Sequence, residues 1–595
     1  MKITVNKILG YIFWIIYSNI MIYASFYYNL KEQLIERDYL ILILIITIAA
    51  VTVIWMKINK VTFFDTLKSG PVFVIALAVV CLSVCFFYFG KTFLYEETGY
   101  RMVIDKIQYF LLLYVFVLIY IIFSMKIFDD IKYDIIIKDD NKKDIKYNYI
   151  ALFIIQTAIL GIYYYALNPG NMSYDTYNQV SQLKGLVSYN TWHPIGHTLF
   201  MGLLLKIWDN YAVITIFQIL FFAGVTSKFY SILLKHNVKW QIIYLTAIIM
   251  ASLPSVGINV VTQWKDIPYT VGLLWGTLIL FRMSFEKNYF SKIINAVEFV
   301  ICMLIISLFR FNGILAFIVL FIYTFMYILR GNSRQKKNYY ISAAAVIIIF
   351  VVINIIIPKK LNAVPNPPGM KLRPVYQGCA AIYVFGGEDN LDIKSRELIE
   401  TVCTSEQMKD YYNPYFADKI SNNTPKFLGN LSKIRTMDAL RIYIEAFKVH
   451  PGVILGDKFN LSVAMWSVTR DRFSYNNAYT TVIQKEMAEE FGVHRTENKF
   501  TDVIEEFARY TLTENYLLNT LMWRTGFYLS LEFILILYLI LKKDARKAIF
   551  IPLICNGLIV FLTMPAQDYR YLWFIFLLFP FLALACSVSL DDKKH

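Results

Sequence analysis

The sequence predicts an all-α, polytopic membrane protein with about 14 transmembrane helices. Hydrophobic residues make up 57% of the 595 residues, and the mean hydropathy is +0.50, which water-soluble domains rarely sustain over such a length. The apolar residues also recur in runs of about 20, the length at which a helix crosses the hydrocarbon core of a bilayer. Lys and Arg are concentrated in short loops between these runs.

Fourteen apolar segments suit membrane-spanning helices. They cover residues 8–28, 38–56, 71–90, 108–127, 149–167, 211–232, 240–256, 267–283, 294–309, 313–330, 341–357, 524–541, 546–564 and 570–588. The basic loops "KINK", "KKDIKY", "KHNVK", "RGNSRQKK" and "KKDARK" all lie on one side if the N-terminus is cytoplasmic. We therefore predict a multi-pass protein of the plasma membrane with both termini in the cytoplasm.

The segment 193–208, "HPIGHTLFMGLLLKIW", is apolar but short for a membrane crossing. If it crossed, every later basic loop would lie outside, against the positive-inside pattern. We therefore predict an outer juxtamembrane helix that lies along the membrane surface, with Pro194 in its first turn.

The predicted spans divide the chain into four parts. These are accessory transmembrane helices at 1–148, a transmembrane core at 149–357 with an outer loop at 168–210, an extracellular domain at 358–523 and the last transmembrane helices at 524–595. The segment 358–523 has mixed charge with scattered Pro and Gly, which predicts a folded and mainly helical domain.

The net charge of +15 follows from the basic loops and does not indicate nucleic-acid binding, because no soluble segment combines a basic tract with aromatic residues. The seven cysteines are dispersed. Cys379 and Cys403 share the segment 358–523 and could form a disulfide, which their spacing alone does not decide.

The first candidate site residues follow the span 149–167, in the stretch "NMSYDTYNQ". Asp175 could act as a general base or bind a hard metal ion, although aspartate also favours helix N-caps. Gln179 lies one helical turn later and could share its face. His193 and His197 are four residues apart and could form a metal site with Asp175. A capping or packing role, or a contact with a phosphate or sugar hydroxyl, is the interpretation that we favour over zinc.

Charged residues also lie at the predicted outer ends of later spans. Lys265 and Asp266 enter a span together, and such charges are usually paired or functional, although Lys265 could simply extend to the interface. Arg310 and Arg570 lie on the side where the positive-inside pattern disfavours them. The planar fork of arginine suits phosphate oxygens. Each arginine could instead form an internal salt bridge, such as that of Arg570 with Asp568.

The order and sidedness of these motifs resemble those of integral-membrane glycosyltransferases of the GT-C fold, which use polyprenyl-phosphate-linked sugars. The matching motifs are "NPGNMSYDTYNQ", the "HP…H" helix after it, "WKD", "RFNG" and "QDYRYLWF". The likeness is greatest to a poorly characterised bacterial membrane family with the same order of motifs. It covers residues 149–330 and 546–590, and it departs from the protein mannosyltransferases because no Glu follows Asp175.

The resemblance implies a GT-C-like bundle and an inverting glycosyltransferase whose active site faces outward. It implies that Asp175 is the catalytic residue and deprotonates an acceptor hydroxyl or orients it through a divalent metal such as Mg or Mn. The residues implied to bind substrate are Gln179, His193, His197, Lys265, Asp266, Arg310, Asn312, Arg570 and Tyr571. The implied partners are a polyprenyl-phosphate-linked sugar and a glycan or lipid acceptor of the cell envelope.

Three other functions remain open at the level of sequence. A transporter or flippase for lipid-linked glycans would need charged or broken helices near the membrane midplane, where most of the predicted spans are apolar. A polysaccharide polymerase or ligase would use related chemistry with a growing glycan as acceptor. A membrane scaffold would use the segment 358–523 to bind a partner.

Overall fold

The computed structural model describes residues 145–467, 475–496 and 498–588, together with positions 128, 135 and 136. In this part of the chain every regular element is a helix, and extended backbone pairs only at isolated bridges. The all-α fold class is therefore confirmed for these residues. The predicted spans 8–28, 38–56, 71–90 and 108–127 lie outside them.

The first eleven α-helices run to residue 360. They are α1 (Ile145–Ala166), α2 (Tyr174–Leu183), α3 (Ile195–Ile207), α4 (Ala212–Lys235), α5 (Trp240–Ser252), α6 (Pro254–Val260), α7 (Asp266–Phe285), α8 (Ile293–Leu308), α9 (Gly313–Leu329), α10 (Ser333–Val351) and α11 (Ile357–Lys360). Mostly short helices follow: α12 (Arg373–Phe385), α13 (Ile393–Glu400), α14 (Ser405–Tyr411), α15 (Asp418–Asn423), α16 (Phe427–Leu431), α17 (Thr436–Val449), α18 (Pro451–Leu461) and α19 (Val463–Trp466). The chain closes with α20 (Lys485–Phe491), α21 (Lys499–Arg509), α22 (Tyr516–Trp523), α23 (Thr525–Leu541), α24 (Ile551–Thr563) and α25 (Tyr569–Ser587).

Several of these helices could cross a membrane. Six are long and apolar enough, and the number rises to eight if each of two bent pairs counts as one span. Helices α8 and α9 contain 16 and 17 residues, or about 24 and 26 Å at 1.5 Å per residue, slightly less than the roughly 30 Å hydrocarbon core. The multi-pass character is therefore supported, whereas the count of fourteen spans is not confirmed.

Helix α7 lies at the centre of the bundle. It packs against α4, α8, α24 and α25, and most of its side chains are buried. Gly272 permits the close approach of α8, because a Cβ there would lie 2.8 Å from the Ile305 side chain. Helices α1 and α10 lie at the periphery, where Ile154, Ile162 and Ile347 are exposed as expected for surface that faces lipid.

The two ends of the bundle are both polar. At one end Arg282 of α7 donates to Glu298 of α8 and to Glu286, and Lys228 of α4 pairs with the same Glu298. The other end, where α7 begins at Asp266, carries the candidate site residues described below. About 24 Å separate the two ends along α7. The charged side chains of α7 are therefore found at its two ends.

Helix α3 corresponds to the predicted juxtamembrane helix. Its 13 residues extend about 20 Å, too short for a crossing, and it packs against α2, α4 and α8. Leu204 is buried against protein, whereas Leu203 is 56% exposed. Whether the helix lies parallel to the membrane surface stays a prediction.

Residues 372–454 build a second hydrophobic core, which we call the helical lobe. Its centre is α12, which packs against α14, α17 and α18. The backbone N–H of Ala417 donates to the carbonyl of Pro565 at 2.8 Å, which joins the lobe to the loop between α24 and α25. Cys379 and Cys403 are both buried and free here, so they form no disulfide in this structure. The predicted extracellular position of the lobe is not confirmed.

Candidate functional site

The loop that follows α1 is held in place by its backbone. Asn171 accepts a hydrogen bond from the Gln263 backbone and donates one to the carbonyl of Val261. Gly170, with φ +123°, leaves no room for a side chain, since a Cβ would lie 2.1 Å from the Thr215 hydroxyl. These contacts fix the start of α2 beside the loop that leads into α7.

Ser173 is the N-cap of α2, and its hydroxyl accepts a hydrogen bond from the backbone of Asp175. The interpretation of Asp175 as a helix cap is therefore wrong, because the cap position is already filled. Trp264 donates its indole N–H to the same Ser173 hydroxyl at 2.7 Å, which draws the segments of Asp175 and Lys265 together. The Asp175 side chain therefore does not cap its own helix.

Asp175 contacts two cations from distant parts of the chain. Its Oδ2 atom accepts hydrogen bonds from Lys265 Nζ and from Arg570 Nη1, each at 2.8 Å. Burial alone would raise the pKa of Asp175, but the charges of Lys265 and Arg570 hold this pKa well below its ordinary value. The carboxylate is therefore ionised, and its Oδ2 atom is bonded to both cations in this structure.

A second ion pair lies directly beside the first. Arg310 Nη1 donates to Oδ1 of the fully buried Asp266, whose Oδ2 accepts no hydrogen bond and lies 4.0 Å from Lys265 Nζ. Lys265 thus bridges Asp175 and Asp266. The two predicted arginines therefore belong to one continuous chain of alternating charges.

Aromatic rings line the two guanidinium groups. The Tyr571 ring lies 4.6 Å from the Arg310 guanidinium carbon and 4.9 Å from that of Arg570. Arg570 also donates to the Tyr571 hydroxyl at 3.1 Å and lies 4.9 Å from the Trp264 ring. The apolar faces limit water around both cations, which strengthens their interaction with an anion.

Asp568 is a third carboxyl group of the site. From the sequence it was expected only as a salt-bridge partner for Arg570. Its Oδ2 lies 3.5 Å from Arg570 Nε, a contact too long for a strong hydrogen bond. Burial raises the pKa of Asp568, and the charge of Arg570 only partly opposes this. Of the three carboxyl groups it is the one held least firmly by cations.

The two histidines occupy different surroundings. His197 Nδ1 lies 3.0 Å from Gln179 Nε2, and its ring packs edge-on against Phe309. Gln179 also donates to the Thr198 hydroxyl at 2.9 Å, so Gln179 and His197 serve mainly to join α2 to α3. His193 lies near the charges of Lys265 and Asp175, and burial and Lys265 lower its pKa to about 3.

Asn312 lies at the start of α9 and contacts the Thr563 hydroxyl at the end of α24, at 3.4 Å. This contact joins two helices at the same end of the bundle. No hydrogen bond connects Asn312 to the other candidate residues in the part of the chain that the structure describes.

The site does not fit the divalent metal ion considered for Asp175. Among the described residues, no three His, Cys, Asp or Glu side chains are grouped as metal ligands would be. His197 is bonded to Gln179, and the Asp175 carboxylate already faces two cations that would repel a metal ion. The arrangement therefore gives no support to a metal centre of Asp175, His193 and His197, which the sequence left open as the less favoured interpretation.

The candidate site combines Asp175, Lys265, Asp266, Arg310, Asp568, Arg570 and Tyr571 at one end of the bundle. The site contains equal numbers of acidic and basic residues, three of each. Comparisons with profiles of known protein families, with characterised proteins and with solved structures give no match to this chain. The functional argument therefore depends on the geometry of these residues.

Proposed function

We propose that this chain is an inverting membrane glycosyltransferase of the GT-C type. It moves a sugar from a polyprenyl-phosphate donor to a cell-envelope acceptor at the outer face of the membrane. The observation that carries the proposal is the meeting of Asp175 with Lys265 and Arg570 at the ends of apolar helices. A carboxylate for proton transfer and cations for a lipid phosphate then occupy one site at the level where a lipid-linked donor presents its phosphate.

The cations of this site already have carboxylate partners, so donor binding requires an exchange. The phosphate of the donor competes with Asp175 for Arg570 and Lys265, and an arginine fork can hold two phosphate oxygens at once. The two salt bridges of Asp175 are partly exposed, with 22% of its side chain accessible, so an entering anion can reach them. Donor binding thus releases the carboxylate.

This exchange explains how a carboxylate with a low pKa can act as a base. While Lys265 and Arg570 hold Asp175, the carboxylate has little tendency to accept a proton. When the phosphate takes over both cations, the pKa of Asp175 rises toward its ordinary range. The base is therefore active only when donor is present.

The proposed reaction is a single displacement. The oxygen of an acceptor hydroxyl forms a bond to the anomeric carbon, and the bond from that carbon to the phosphate oxygen breaks. The electron pair of the broken bond leaves with polyprenyl phosphate, whose added charge Arg570, Arg310 and Lys265 offset. The hydroxyl proton passes to Asp175, and the configuration at the anomeric carbon is inverted.

Asp568 is the alternative proton acceptor within the same mechanism. Its raised pKa and its single long contact with Arg570 leave it better suited than the engaged Asp175 to take up a proton. Asp175→Asn and Asp568→Asn separate the two roles, since loss of the base abolishes transfer and loss of the other carboxylate changes mainly donor affinity.

Movement of a lipid-linked glycan across the membrane is a second candidate function, favoured by Glu532. This residue lies within α23, is fully buried, and neither of its carboxyl oxygens has a hydrogen-bond partner. Helix α23 also forms a pair with the end of α22 that is bent by 62°. Buried carboxyl groups and broken helices are features of transporters.

A transfer assay tests the proposal directly. Purified protein in lipid nanodiscs is incubated with a panel of polyprenyl-phosphate sugars and with envelope glycans from a deletion strain, and free polyprenyl phosphate is measured by mass spectrometry. We expect release with the wild-type protein and with Asp389→Asn, whose carboxylate is 92% exposed, but none with Asp175→Asn. In a parallel assay the protein is placed in sealed lipid vesicles. Donor that crosses the vesicle membrane at unchanged mass would instead support transport.

A further inference from the structure

Helix α21 carries an apolar stripe that no described part of the protein covers. Phe500, Val503 and Phe507 of α21, and Tyr510, which directly follows its last residue, are exposed by 53, 62, 42 and 40%. Their spacing of three and four residues places them on one face of the helix. Four large exposed apolar side chains in one row are unusual for a surface in contact with water.

The circumference of α21 has three sectors, at about 100° per residue. Thr501 and Ala508 are buried and face the protein. Asp502 and Arg509 are exposed on a charged sector, and the apolar stripe lies between the charged sector and the buried one. Such a division suits a helix at a junction of protein, water and lipid.

The position of α21 relative to the membrane-spanning helices is fixed by contacts with the end of α1. The Thr501 hydroxyl donates to the carbonyl of Ala166, the last residue of α1. Asn498, the N-cap of α21, donates to the carbonyl of Tyr165 at 3.0 Å, and the rings of Tyr165 and Phe500 meet edge-on at 5.9 Å. Helix α21 therefore lies where a candidate membrane span ends.

The stripe continues the exposed apolar surface of α1. Ile162 and Tyr165 are 50% and 60% exposed, and Tyr165 touches the first residue of the stripe. Beyond α21, Leu517 and Leu521 of α22 are also exposed, just before the chain turns into α23. Exposed apolar side chains thus lie both on α1, which contacts α21, and on α22, which is the next α-helix in the sequence.

We propose that α21 is an interfacial membrane helix whose stripe of Phe500, Val503, Phe507 and Tyr510 inserts into the bilayer surface. The occupant of this face is lipid, because the face continues the lipid-facing surface of α1. The charged sector contains acidic as well as basic residues, so apolar insertion rather than attraction to anionic lipid holds the helix. Segment 498–510, expected from sequence to belong to a water-exposed domain, is then part of the membrane-bound region.

Helix α21 lies beside the loop that positions Asp175. Arg495, three residues before the N-cap, donates to the Asn171 side chain at 2.7 Å, and the Thr496 backbone donates to the carbonyl of Asn168. An interfacial helix therefore fixes the level of this loop relative to the lipid surface.

Spin labelling of the full chain in phosphatidylcholine nanodiscs tests the proposal. Nitroxides are attached at Val503→Cys and, as a matched control one residue earlier, at Asp502→Cys. Both are made in a Cys81→Ser/Cys85→Ser background, since the five cysteines in the described residues are buried. Collisions are measured with oxygen, which concentrates in hydrocarbon, and with a neutral nickel complex, which stays in water.

We expect the label at Val503 to collide more with oxygen and less with nickel than the label at Asp502. Equal nickel collisions at both positions would mean that the stripe faces water, and the proposal would be overturned. Low collision with both reagents at Val503 would overturn it as well, because another protein surface would then cover the stripe. Phe507→Cys repeats the test if Val503→Cys fails to give a single peak in size-exclusion chromatography.

Discussion

The guanidinium of Arg570 donates a 2.8 Å hydrogen bond to the carboxylate of Asp175, although 395 positions separate the two residues in the sequence. The same carboxylate oxygen accepts from Lys265. This contact requires the first turns of α2, α7 and α25 to converge at one end of the bundle. It also means that the group proposed as base and the groups proposed to hold the donor phosphate neutralise each other before the donor binds.

Arg570→Ala should weaken donor binding about tenfold to a hundredfold, because loss of a charge-assisted hydrogen bond to phosphate costs about 1.5–3 kcal/mol. Arg570→Lys should recover only part of the affinity, since an ammonium group cannot hold two oxygens in a planar fork. Binding of polyprenyl-phosphate sugar in nanodiscs measures both effects. Arg435→Ala, at a side chain that is 83% exposed, is the control and should bind as wild type.

Arg310→Ala should have a similar effect, because Arg310 and Arg570 contact the same Tyr571 ring. It also leaves the fully buried Asp266 with only the more distant Lys265 and Arg570 as counter-charges, so stability must be measured in parallel. Unchanged donor affinity in a folded Arg310→Ala protein would remove Arg310 from the phosphate site.

Asp175→Asn should separate binding from transfer. The neutral amide no longer competes for Lys265 and Arg570, so the donor should bind as tightly as before or more tightly. Transfer should be lost, because an amide cannot accept the hydroxyl proton. Equilibrium donor binding and single-turnover transfer, measured on the same preparation, give both quantities. Weaker binding with intact transfer would contradict the exchange of partners proposed for Asp175.

In the described part of the chain, the sequence predicted the apolar helices and most of the charged residues that meet at one end of the bundle. Each predicted span after residue 148 contains a helix, because long apolar runs leave a backbone in lipid little alternative. Asp175, Lys265, Arg310 and Arg570 were predicted from their polarity at span ends, and they do meet in one cluster.

Three features were beyond sequence reasoning for physical reasons. The role of Asp568 depends on its burial and on the angle at which Arg570 approaches it, neither of which follows from spacing. The spacing of His193 and His197 left a metal site open as the less favoured interpretation, and it could not show that Gln179 of another helix forms a hydrogen bond with His197. The number of crossings depends on helix bends, such as the 64° break between α5 and α6, that hydropathy does not encode.

Acid should destabilise the protein partly through its buried histidines. His193 has a folded-state pKa of about 3, below its ordinary value of 6.5, so the unfolded chain binds a proton that the folded chain excludes. The stability that this provides is complete above pH 6.5 and is lost as the pH falls toward 3. Asp175, whose pKa is also lowered, provides stability that is complete above about pH 4 and is lost only as the pH falls below that value.

His193→Gln should therefore flatten the fall of the unfolding midpoint between pH 6.5 and 4, measured by thermal denaturation in detergent. His450→Gln, at an exposed position, is the control and should keep the wild-type slope. A wild-type slope for His193→Gln would show that this histidine does not stay neutral in the folded protein.

The orientation in the membrane can be tested with an impermeant maleimide on intact cells. Asn390→Cys, in an exposed turn of the helical lobe, should react, and Lys337→Cys, at an exposed position near the start of α10, should not. Asn171 is unsuitable for labelling because its side chain is fully buried. Reaction at Lys337→Cys alone would reverse the orientation and place the Asp175 site in the cytoplasm.

Glu532 offers a test between transfer and transport. Its carboxyl group is fully buried within α23 without a hydrogen-bond partner, which costs about 1–3 kcal/mol for an unsatisfied polar group. Glu532→Met removes this cost at similar volume, so the unfolding midpoint should rise by a few degrees. Leu535→Met on the same buried side of α23 is the control and should change stability little.

If the protein is a glycosyltransferase, Glu532→Met should retain full transfer, because the reacting groups lie at the end of the bundle. Loss of function in a stabilised Glu532→Met protein would mean that the carboxyl group itself is used, and would favour transport.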